Sequence, residues 1–443
     1  MSLARQEAKE LVDRVLKLSR ADECSVSVNG GREANIRFAR NEVTTSGDTE
    51  DVTLTVRSSF GKRSGSASVN QFDDAAIERC VRQAEETARF APEDPEHMPL
   101  FSPQSYAEIA GFSQETMDLP PERRADLAGK SIDLAKSRNV IVAGFFTNSG
   151  GFSALGNSRG LFGYHRQSRV TFSTTARTPD GKGSGWAGVN GERLQDFDAL
   201  ALSRAAVEKA SRSAARRELD PGAYSVVLEP AAVADLLLYM GFTMDARSAD
   251  EGRSFFSKKG GGNRIGEKVL SEKMTVWTDP ADPRAPGTPF AGDGQPTLKM
   301  TFVDEGVVSN LNYSRYWAEK QGKEPTPQPR NILMKGGSGS LEDLVKGTRR
   351  GVLVTRLWYI RFVDPQTLLL TGLTRDGTFW IENGKIRHPV KNFRWNDSPI
   401  SVFSKVEAMS RETRARGSEA EDFSIVCPAI RTQLTFSSLS DAV

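Results

Sequence analysis

Alternating apolar and polar positions dominate the N-terminal part of the chain, after one helical stretch. In residues 1–20 the apolar side chains recur at helical spacing among charges, which predicts an amphipathic helix and not a signal peptide. The runs 24–30, 33–45 and 51–70 then alternate with a period of two and are separated by turn residues. This pattern predicts antiparallel strands, because successive side chains of a strand point to opposite faces.

Helical spacing returns before residue 220. The sequence predicts helices from about Asp73 to Phe90, over 119–137 and over 198–217, each with apolar residues on one side. Strand-like stretches lie between the second and the third of these helices. The segment 91–104 is rich in Pro and acidic residues, which is typical of a connector.

The second half of the chain has little predicted helix. Helical patterns occur in the apolar stretch 230–243, after Ser340 and over 405–415, and most of the remainder consists of strand-like runs. The whole pattern indicates an α+β fold. We expect an N-terminal antiparallel sheet with long helices, and an antiparallel, barrel-like sheet with few helices in the C-terminal half.

The length favours more than one folding unit. At 443 residues the chain is longer than one hydrophobic core usually organises. We expect an N-terminal α+β segment with its connector at 1–104 and a middle helix–strand segment at 105–220 that packs with it. A β-rich C-terminal domain would then occupy 221–443.

Charge and cysteine usage exclude several classes of partner. Lys and Arg total 59 and Asp and Glu total 57, so the net charge of +2 provides no field for nucleic acid or an anionic membrane. No apolar run approaches the roughly 20 residues that a membrane span needs. Cys24, Cys80 and Cys427 form no CxxC pair. A reducing, cytoplasmic location is therefore expected.

The glycine-rich runs do not meet the requirements of a phosphate site. GSGWAG at 183–188 is expected to be a loop, because no helix begins at its last Gly to supply free N–H groups. GGNRIGEK at 261–268 has Glu267 where a P-loop needs Lys. In GGSGSLEDL, Ser340 is expected to cap a short helix, since the sequence departs from the GxSxG pattern of a nucleophile.

Three histidines, His97, His165 and His388, are the remaining candidates for local chemistry. No two of them lie three to five residues apart on one helix, so the sequence contains no local metal-binding pair. A site assembled from distant residues stays open as an alternative at this point.

Several segments taken together resemble one known family. They lie at 32–70, beginning REANIRFARNEVTT, at 302–322, at 339–367, at 376–399 and at 427–443, beginning CPAIRTQLTF. In this order they are similar to the TldD/TldE (PmbA) proteins, historically labelled modulators of DNA gyrase. The resemblance spans nearly the whole chain, and its strength lies in the order of the segments.

In that family the TldD subunits are zinc metalloproteases with HExxxH on a helix, in a setting like GPxxxGxLLHExxxH. The stretch VLEPAAVADLLLYMGFT at 227–243 resembles this setting without a gap. Leu238 then stands at the first His, Tyr239 at the catalytic Glu and Thr243 at the second His. Leu238 has no donor atom for zinc, and a phenol keeps its proton at neutral pH.

The resemblance also implies a third zinc ligand, a Cys that should fall within 411–422, and this segment contains none. Cys427 lies later, before Pro428, and is expected to be a core residue. The departures match the TldE/PmbA side of the family, which lacks the zinc motif. The resemblance therefore implies no catalytic residue, metal or cofactor in this chain, with zinc held by a TldD-like partner.

Three functions follow as hypotheses. The first is a non-catalytic subunit, paired with a TldD-like chain or with itself, that acts on unfolded or leader-type peptides and offers strand edges to the extended substrate. The second is a hydrolase in its own right, with an unrecognised site involving His165 or His388. The third, suggested by the family's old label, is a regulator that contacts gyrase.

Overall fold

The structure, a computed structural model, describes residues 3–326, 329–420 and 423–440. The α-helices of the described residues are α1 (Arg5–Leu18), α2 (Asp74–Phe90), α3 (Gln114–Met117), α4 (Pro121–Ser137), α5 (Ala199–Arg212), α6 (Pro230–Phe242), α7 (Ala246–Asp250), α8 (Arg315–Lys320), α9 (Leu341–Lys346) and α10 (Pro399–Ser404). These confirm the helices expected from the apolar spacing, apart from the one expected over 405–415. None of them is both long and apolar enough to traverse a lipid bilayer.

The strands of the N-terminal half are β1 (Glu23–Ala39), β2 (Glu42–Phe60), β3 (Arg63–Val69), β4 (Ile141–Asn157), β5 (Phe162–Arg177) and β6 (Ser184–Gly191). Those that follow are β7 (Gly222–Leu228), β8 (Val276–Thr278), β9 (Met300–Asp304), β10 (Val307–Val308), β11 (Asn331–Met334), β12 (Arg350–Val354), β13 (Leu357–Asp364), β14 (Leu369–Thr374), β15 (Thr378–Glu382), β16 (Lys385–Pro389), β17 (Asn392–Asp397), β18 (Ala408–Met409), β19 (Thr413–Ala415), β20 (Ser424–Cys427) and β21 (Ile430–Ser440).

The first six strands form one antiparallel sheet in the order β3-β2-β1-β4-β5-β6. Its apolar side chains alternate along the strands, as at Val26 and Val28, and pack under α1, α2, α4 and α5. The opposite face carries mainly polar side chains. The expected segments 1–104 and 105–220 therefore share one sheet, and the division between them remains a proposal.

The glycine-rich stretch 183–188 was expected to be a loop, and this expectation is wrong. Ser184–Gly191 is the strand β6, paired with β5. A Cβ atom at Gly185 would overlap the main-chain oxygen of Ala206 on α5. The glycine is therefore there to let the helix approach the sheet closely, and small residues do not exclude a strand where such packing is required.

The C-terminal half holds two open sheets among the described residues, so the expected barrel-like closure is not found. One has the order β10-β9-β8-β11-β20-β19, and the other runs β13-β14-β17-β21-β7-β12-β15-β16. Most strand pairs are antiparallel as expected, but β7 pairs with β12 in parallel, as does β11 with β20. Such pairs need long connections between the strands, which α6 and the following segments provide. The α+β class is confirmed.

The stretch 405–415 was expected to be helical and instead contributes the strands β18 and β19. Ala408 and Met409 pair with β21, and Thr413 to Ala415 pair with β20. Distant strand partners thus outweigh the local helical preference of the sequence. The helix cap at Ser340 is confirmed, since its hydroxyl accepts a hydrogen bond from the Asp343 N–H at 3.2 Å.

We predict that Gly185→Ala lowers the free energy of unfolding by about 1–3 kcal/mol, because the added methyl group would overlap α5. Urea unfolding followed by circular dichroism measures the change. The matched control is Gly129→Ala in α4, where a Cβ atom meets nothing within 4 Å. This change should stabilise the protein by about 0.5–1 kcal/mol. Equal effects at the two positions would contradict the packing argument.

Candidate functional site

The helix α6 carries the three substituted motif positions and is buried in a large apolar core. Pro230 occupies its first turn, which suits a residue without an N–H donor, and Thr243 forms its C-cap. All residues from Ala232 to Met240 are buried. The helix contacts α10, β7, β13, β19 and β20. A helix that is apolar on nearly all sides is typical of a core element.

The three motif positions do not form a metal site. Leu238 packs in the core. The hydroxyl of Tyr239 donates to the main-chain oxygen of Ile360 at 2.6 Å, and the Thr243 hydroxyl donates to the Met240 oxygen at 2.8 Å. Both hydroxyl groups are thus engaged with the main chain. These side chains offer zinc neither nitrogen nor sulfur, and they do not fit the metal.

Tyr239 cannot act as a general base at neutral pH. Burial raises the pKa of its phenol, and the charge of Glu419 acts in the same direction. Its ring lies 5.2 Å from that of Phe362, measured between centroids, and 6.1 Å from that of Phe242. The residue therefore links α6 to β13 by a hydrogen bond and by aromatic contacts.

Asp235, one turn before Tyr239, is the residue of this helix that sequence reasoning missed. It is fully buried. Its carboxylate accepts hydrogen bonds from the main-chain N–H groups of Ser418, Glu419 and Ala420 at 3.0, 2.8 and 3.1 Å. One signal for this role was present in the sequence, a single acidic residue within an apolar helix. A carboxylate buried in such a helix requires hydrogen-bond partners elsewhere in the chain.

The loop that holds Asp235 lies within 411–422, where the family resemblance implied a cysteine ligand. A Cβ atom at Gly417 would overlap the Asp235 carboxylate, so a residue without a side chain is required there. Glu419, in the same loop, accepts a hydrogen bond from the Ile360 N–H at 3.0 Å. Helix α6, strand β13 and this loop are therefore joined by hydrogen bonds at the place where the resemblance would put a metal.

Burial also sets the protonation of the acidic groups here. It raises the pKa of Asp235 to about 7, although the N–H donors and the charge of Arg356 favour the ionised form. Cys427 is fully buried, and its thiol lies 3.4 Å from the Pro230 oxygen. Burial raises the pKa of this thiol too, and the charge of Asp235 adds to the effect. Cys427 is thus an inert core thiol and not a thiolate ligand.

The histidines lie on separate elements and do not form a joint site. His97, in the connector, has Nε2 3.3 Å from the Glu23 carboxylate. His165 is buried on β5, and burial lowers its pKa to about 4. His388 lies on β16 with Nδ1 3.2 Å from the Pro389 oxygen. Within the part of the chain that the structure describes, no three His, Cys, Asp or Glu side chains could hold a metal together.

Comparison with known protein families shows to which family the chain belongs. The sequence profile of the PmbA/TldA metallopeptidase C-terminal domain matches residues 221–438. The profiles of domain 1 and of the central domain of the same family match 24–88 and 117–214. The chain belongs to the PmbA/TldD family.

Individual members of the PmbA/TldD family resemble the chain over most of its length. The protein named metalloprotease PmbA from Escherichia coli O157:H7 is 24% identical over 429 residues, which cover 91% of this chain and 87% of that protein. The structure of TldE from Thermococcus kodakarensis matches with a TM-score of 0.85 and 20% identity, covering 97% and 99% of the two chains.

A third relative carries the older family label. It is a Thermotoga maritima protein whose crystal structure is described as that of a candidate modulator of a DNA gyrase. It matches with a TM-score of 0.85 and 19% identity, over 97% of this chain and 100% of that one. At such identities the structural likeness establishes the PmbA/TldD fold and leaves the chemistry to the residues of the site.

We predict that Asp235→Asn changes how stability depends on pH. The folded-state pKa of Asp235 is raised from 3.8 to about 7. The folded protein therefore keeps a proton that the unfolded chain releases, and the resulting stabilisation is lost as the pH rises towards 7. Between pH 5 and pH 7 the free energy of unfolding of the wild type should fall by about 2 kcal/mol relative to that of Asp235→Asn, measured by urea unfolding.

Asp126→Asn, at an exposed position of α4, controls for the general loss of a carboxylate. A wild-type advantage over Asp235→Asn that grows with pH would contradict the prediction. It would show that the three main-chain N–H donors keep the carboxylate ionised against the effect of burial.

We also predict that the triple change Leu238→His, Tyr239→Glu and Thr243→His creates no zinc site. It places polar groups in the core and removes the bond to Ile360, so it should cost about 2–5 kcal/mol of stability. Zinc is measured by elemental analysis after dialysis. Thr243→His alone, at the partly exposed helix end, is the control for folding. The pair Leu238→His with Thr243→His keeps the Tyr239 bond. Stoichiometric zinc in either multiple variant would refute the prediction.

Proposed function

We propose that this chain is a non-catalytic, cytoplasmic subunit of a PmbA/TldD-type peptidase complex that acts on unfolded or leader-type peptides. The observation that carries the proposal is the replacement of the metal-binding positions by Leu238, Tyr239 and Thr243. A subunit without donors at these positions depends on a partner for the reaction. That partner is a TldD-like chain with HExxxH or a second copy of this chain. In the second case another component of the complex would have to supply the metal site.

An exposed aromatic patch supports association at the end of the motif helix. We define the patch as Phe242, Tyr359, Phe362 and Val363, each at least 42% exposed. Phe242 and Phe362 both contact the ring of the buried Tyr239, and Phe242 also contacts Phe423 at 6.5 Å between centroids. Tyr359 and Val363 are exposed on the same strand as Phe362. Large apolar side chains that are exposed close to one another, as Phe242 and Phe362 are, are typical of a protein–protein interface.

The backbone of β13 presents the patch outwards. The pairing of β13 with β14 is irregular between Trp358 and Arg361, and Tyr359 has a φ of 54°. A bulge of this kind turns a side chain away from the regular face of the sheet. The Arg361 guanidinium lies 4.3 Å from the centre of the Tyr359 ring and shields one face of it. A residue other than Gly in the left-handed region carries strain, which a gain in binding would offset.

The alternatives have less support. His165 and His388 lie in different sheets, so a hydrolytic site that combines them has no geometric basis. The near-zero net charge gives no support to DNA binding. Contact with gyrase itself is a hypothesis that no described feature favours.

Association with a TldD-like chain tests whether the aromatic patch forms the interface. A TldD-like chain that carries HExxxH is mixed with the wild type or with Phe242→Asp/Phe362→Asp, and association is measured by analytical ultracentrifugation. The double change should weaken association at least about tenfold, because it places charges in an apolar interface. Cleavage of an unfolded, dye-labelled peptide should appear only when both chains are present.

Phe90→Asp is the matched control, since Phe90 is 82% exposed on α2, outside the patch. It should associate like the wild type. Cleavage of the peptide by this chain alone, purified without metal, would overturn the proposal.

A further inference from the structure

The first sheet has an open polar face opposite the helices α1 and α2. Across its four central strands, Thr53, Asn29, Ser153 and His165 stand side by side in one row, as the strand register requires. Side chains two residues apart on a strand share a face. This row therefore belongs to a continuous surface of hydroxyl and amide groups.

His165 is the member of this row that has a buried polar atom without a partner in the described part of the chain. It is 8% exposed, and its Nε2 atom has no hydrogen-bond partner among the described residues. Buried polar atoms normally have a partner, because water is no longer available to them. Because burial lowers its pKa to about 4, the imidazole is neutral at physiological pH and offers one donor and one acceptor.

His165 lines a cavity of about 430 Å³ together with Asn29, Thr53, Ser153, Gln167 and Thr288. Thr288, which comes from the C-terminal half, also lines this cavity. Besides the Asp51 carboxylate, the polar groups of this cavity are the His165 imidazole and uncharged hydroxyls and amides. They can exchange hydrogen bonds with a ligand in both directions, as donors and as acceptors.

The cavity continues along the sheet into a second one of about 440 Å³. Both are lined by Asp51 and Gly151, and the second extends to Thr49, Glu33 and Ser149. From Thr53 to Thr49 the strand advances about 13 Å, which is also the length of four residues of an extended chain. The two cavities thus form one groove that matches a short peptide in extended form.

Glycines leave the middle of this groove without side chains. Gly31 and Gly151 are partners in the register of β1 and β4, next to Asp51 and Gln167. A Cβ atom at Gly31 would overlap the Gly150 oxygen, and one at Gly151 would overlap the Gly30 oxygen. The close approach of the two strands leaves main chain in place of side chains here, so a ligand can approach the sheet closely.

We propose that this groove, with His165 in its first cavity, binds the neutral amide groups of an extended peptide segment. The inference rests on the proposed function, since it gives this subunit a direct contact with the peptide substrate. Anions fit poorly, because Asp51 and Glu33 line the groove, and the one cation that lines it among the described residues, Arg32 of the second cavity, is paired with Asp48 at 2.6 Å. A metal ion is disfavoured by the lack of three suitable donors within the described residues.

The experiment uses the fact that the chain has three histidines. The purified chain is labelled with ¹⁵N in its imidazole rings, and His97→Gln and His388→Gln assign the three signals. The probe is a blocked, uncharged hexapeptide of Ala and Thr. The His165 Nε2 signal should shift saturably with the peptide, whereas the His388 signal should not move.

Substitutions test whether the ring nitrogen makes the contact. His165→Phe should weaken binding of the dye-labelled hexapeptide about tenfold, which is the factor that one hydrogen bond is worth. His165→Gln should restore most of the affinity, because its amide places a donor and an acceptor near the position of Nε2. His388→Gln, in another sheet, should bind like the wild type.

A hexapeptide whose main-chain nitrogens are methylated lacks the amide donors and should not bind. Equal binding of the methylated peptide, an unchanged His165 signal, or saturation by maltohexaose in place of the peptide would each overturn the inference. The measurement needs neither zinc nor a partner chain. Failure of the subunit proposal would appear in the association assay while the His165 shift persisted, so the two failures are distinguishable.

Discussion

The buried carboxylate of Asp235 is the constraint on which the centre of the C-terminal half depends. A charged or polar group at this depth is tolerated only if it is fully hydrogen-bonded, and main-chain N–H groups of the loop 418–420 meet that need. The helix α6 is thereby fixed to a loop far away in the sequence. The family resemblance places zinc between the same two elements in the active members. In this chain, apolar packing, the Asp235 carboxylate and the Tyr239 hydroxyl hold the helix and the loop in place.

Two surfaces of opposite character remain available for binding. The patch at the end of α6 is aromatic and exposed, and it continues a buried cluster. The groove on the first sheet is polar, floored by main chain and lined by short side chains. An apolar patch suits a large protein partner that excludes water, whereas hydroxyl and amide groups suit the main chain of an extended segment. Under the two proposals, assembly and substrate contact would use separate surfaces of the chain.

Periodicity in the sequence predicted the elements well where the pattern is produced locally. The helices α2 and α4 and the strand β4 follow from apolar spacing and from turn residues. The expected break between the runs 24–30 and 33–45 is wrong, because β1 runs unbroken from Glu23 to Ala39 and the turn falls at Arg40 and Asn41. The strand β6 was missed because its glycines are explained only by the nearby helix α5, and 405–415 was misassigned because its strand partners are distant. The resemblance located Leu238, Tyr239 and Thr243. It could not reveal that Asp235 meets Ser418, 183 residues away, because such pairing depends on the folded chain.

The position of β1 between β2 and β4 has a consequence for synthesis. Its first neighbour, β2, follows immediately, but its second neighbour, β4, is synthesised much later. The Cys24 N–H donates a hydrogen bond to the Ser158 hydroxyl, which lies 134 residues further on. At about 5–20 residues per second, a ribosome needs roughly ten seconds to make that distance. In this interval β1 has one bare edge, which is a hazard for aggregation. The helices α1 and α2 are already complete by then, so the nascent hairpin can bury its apolar face before its second partner strand emerges.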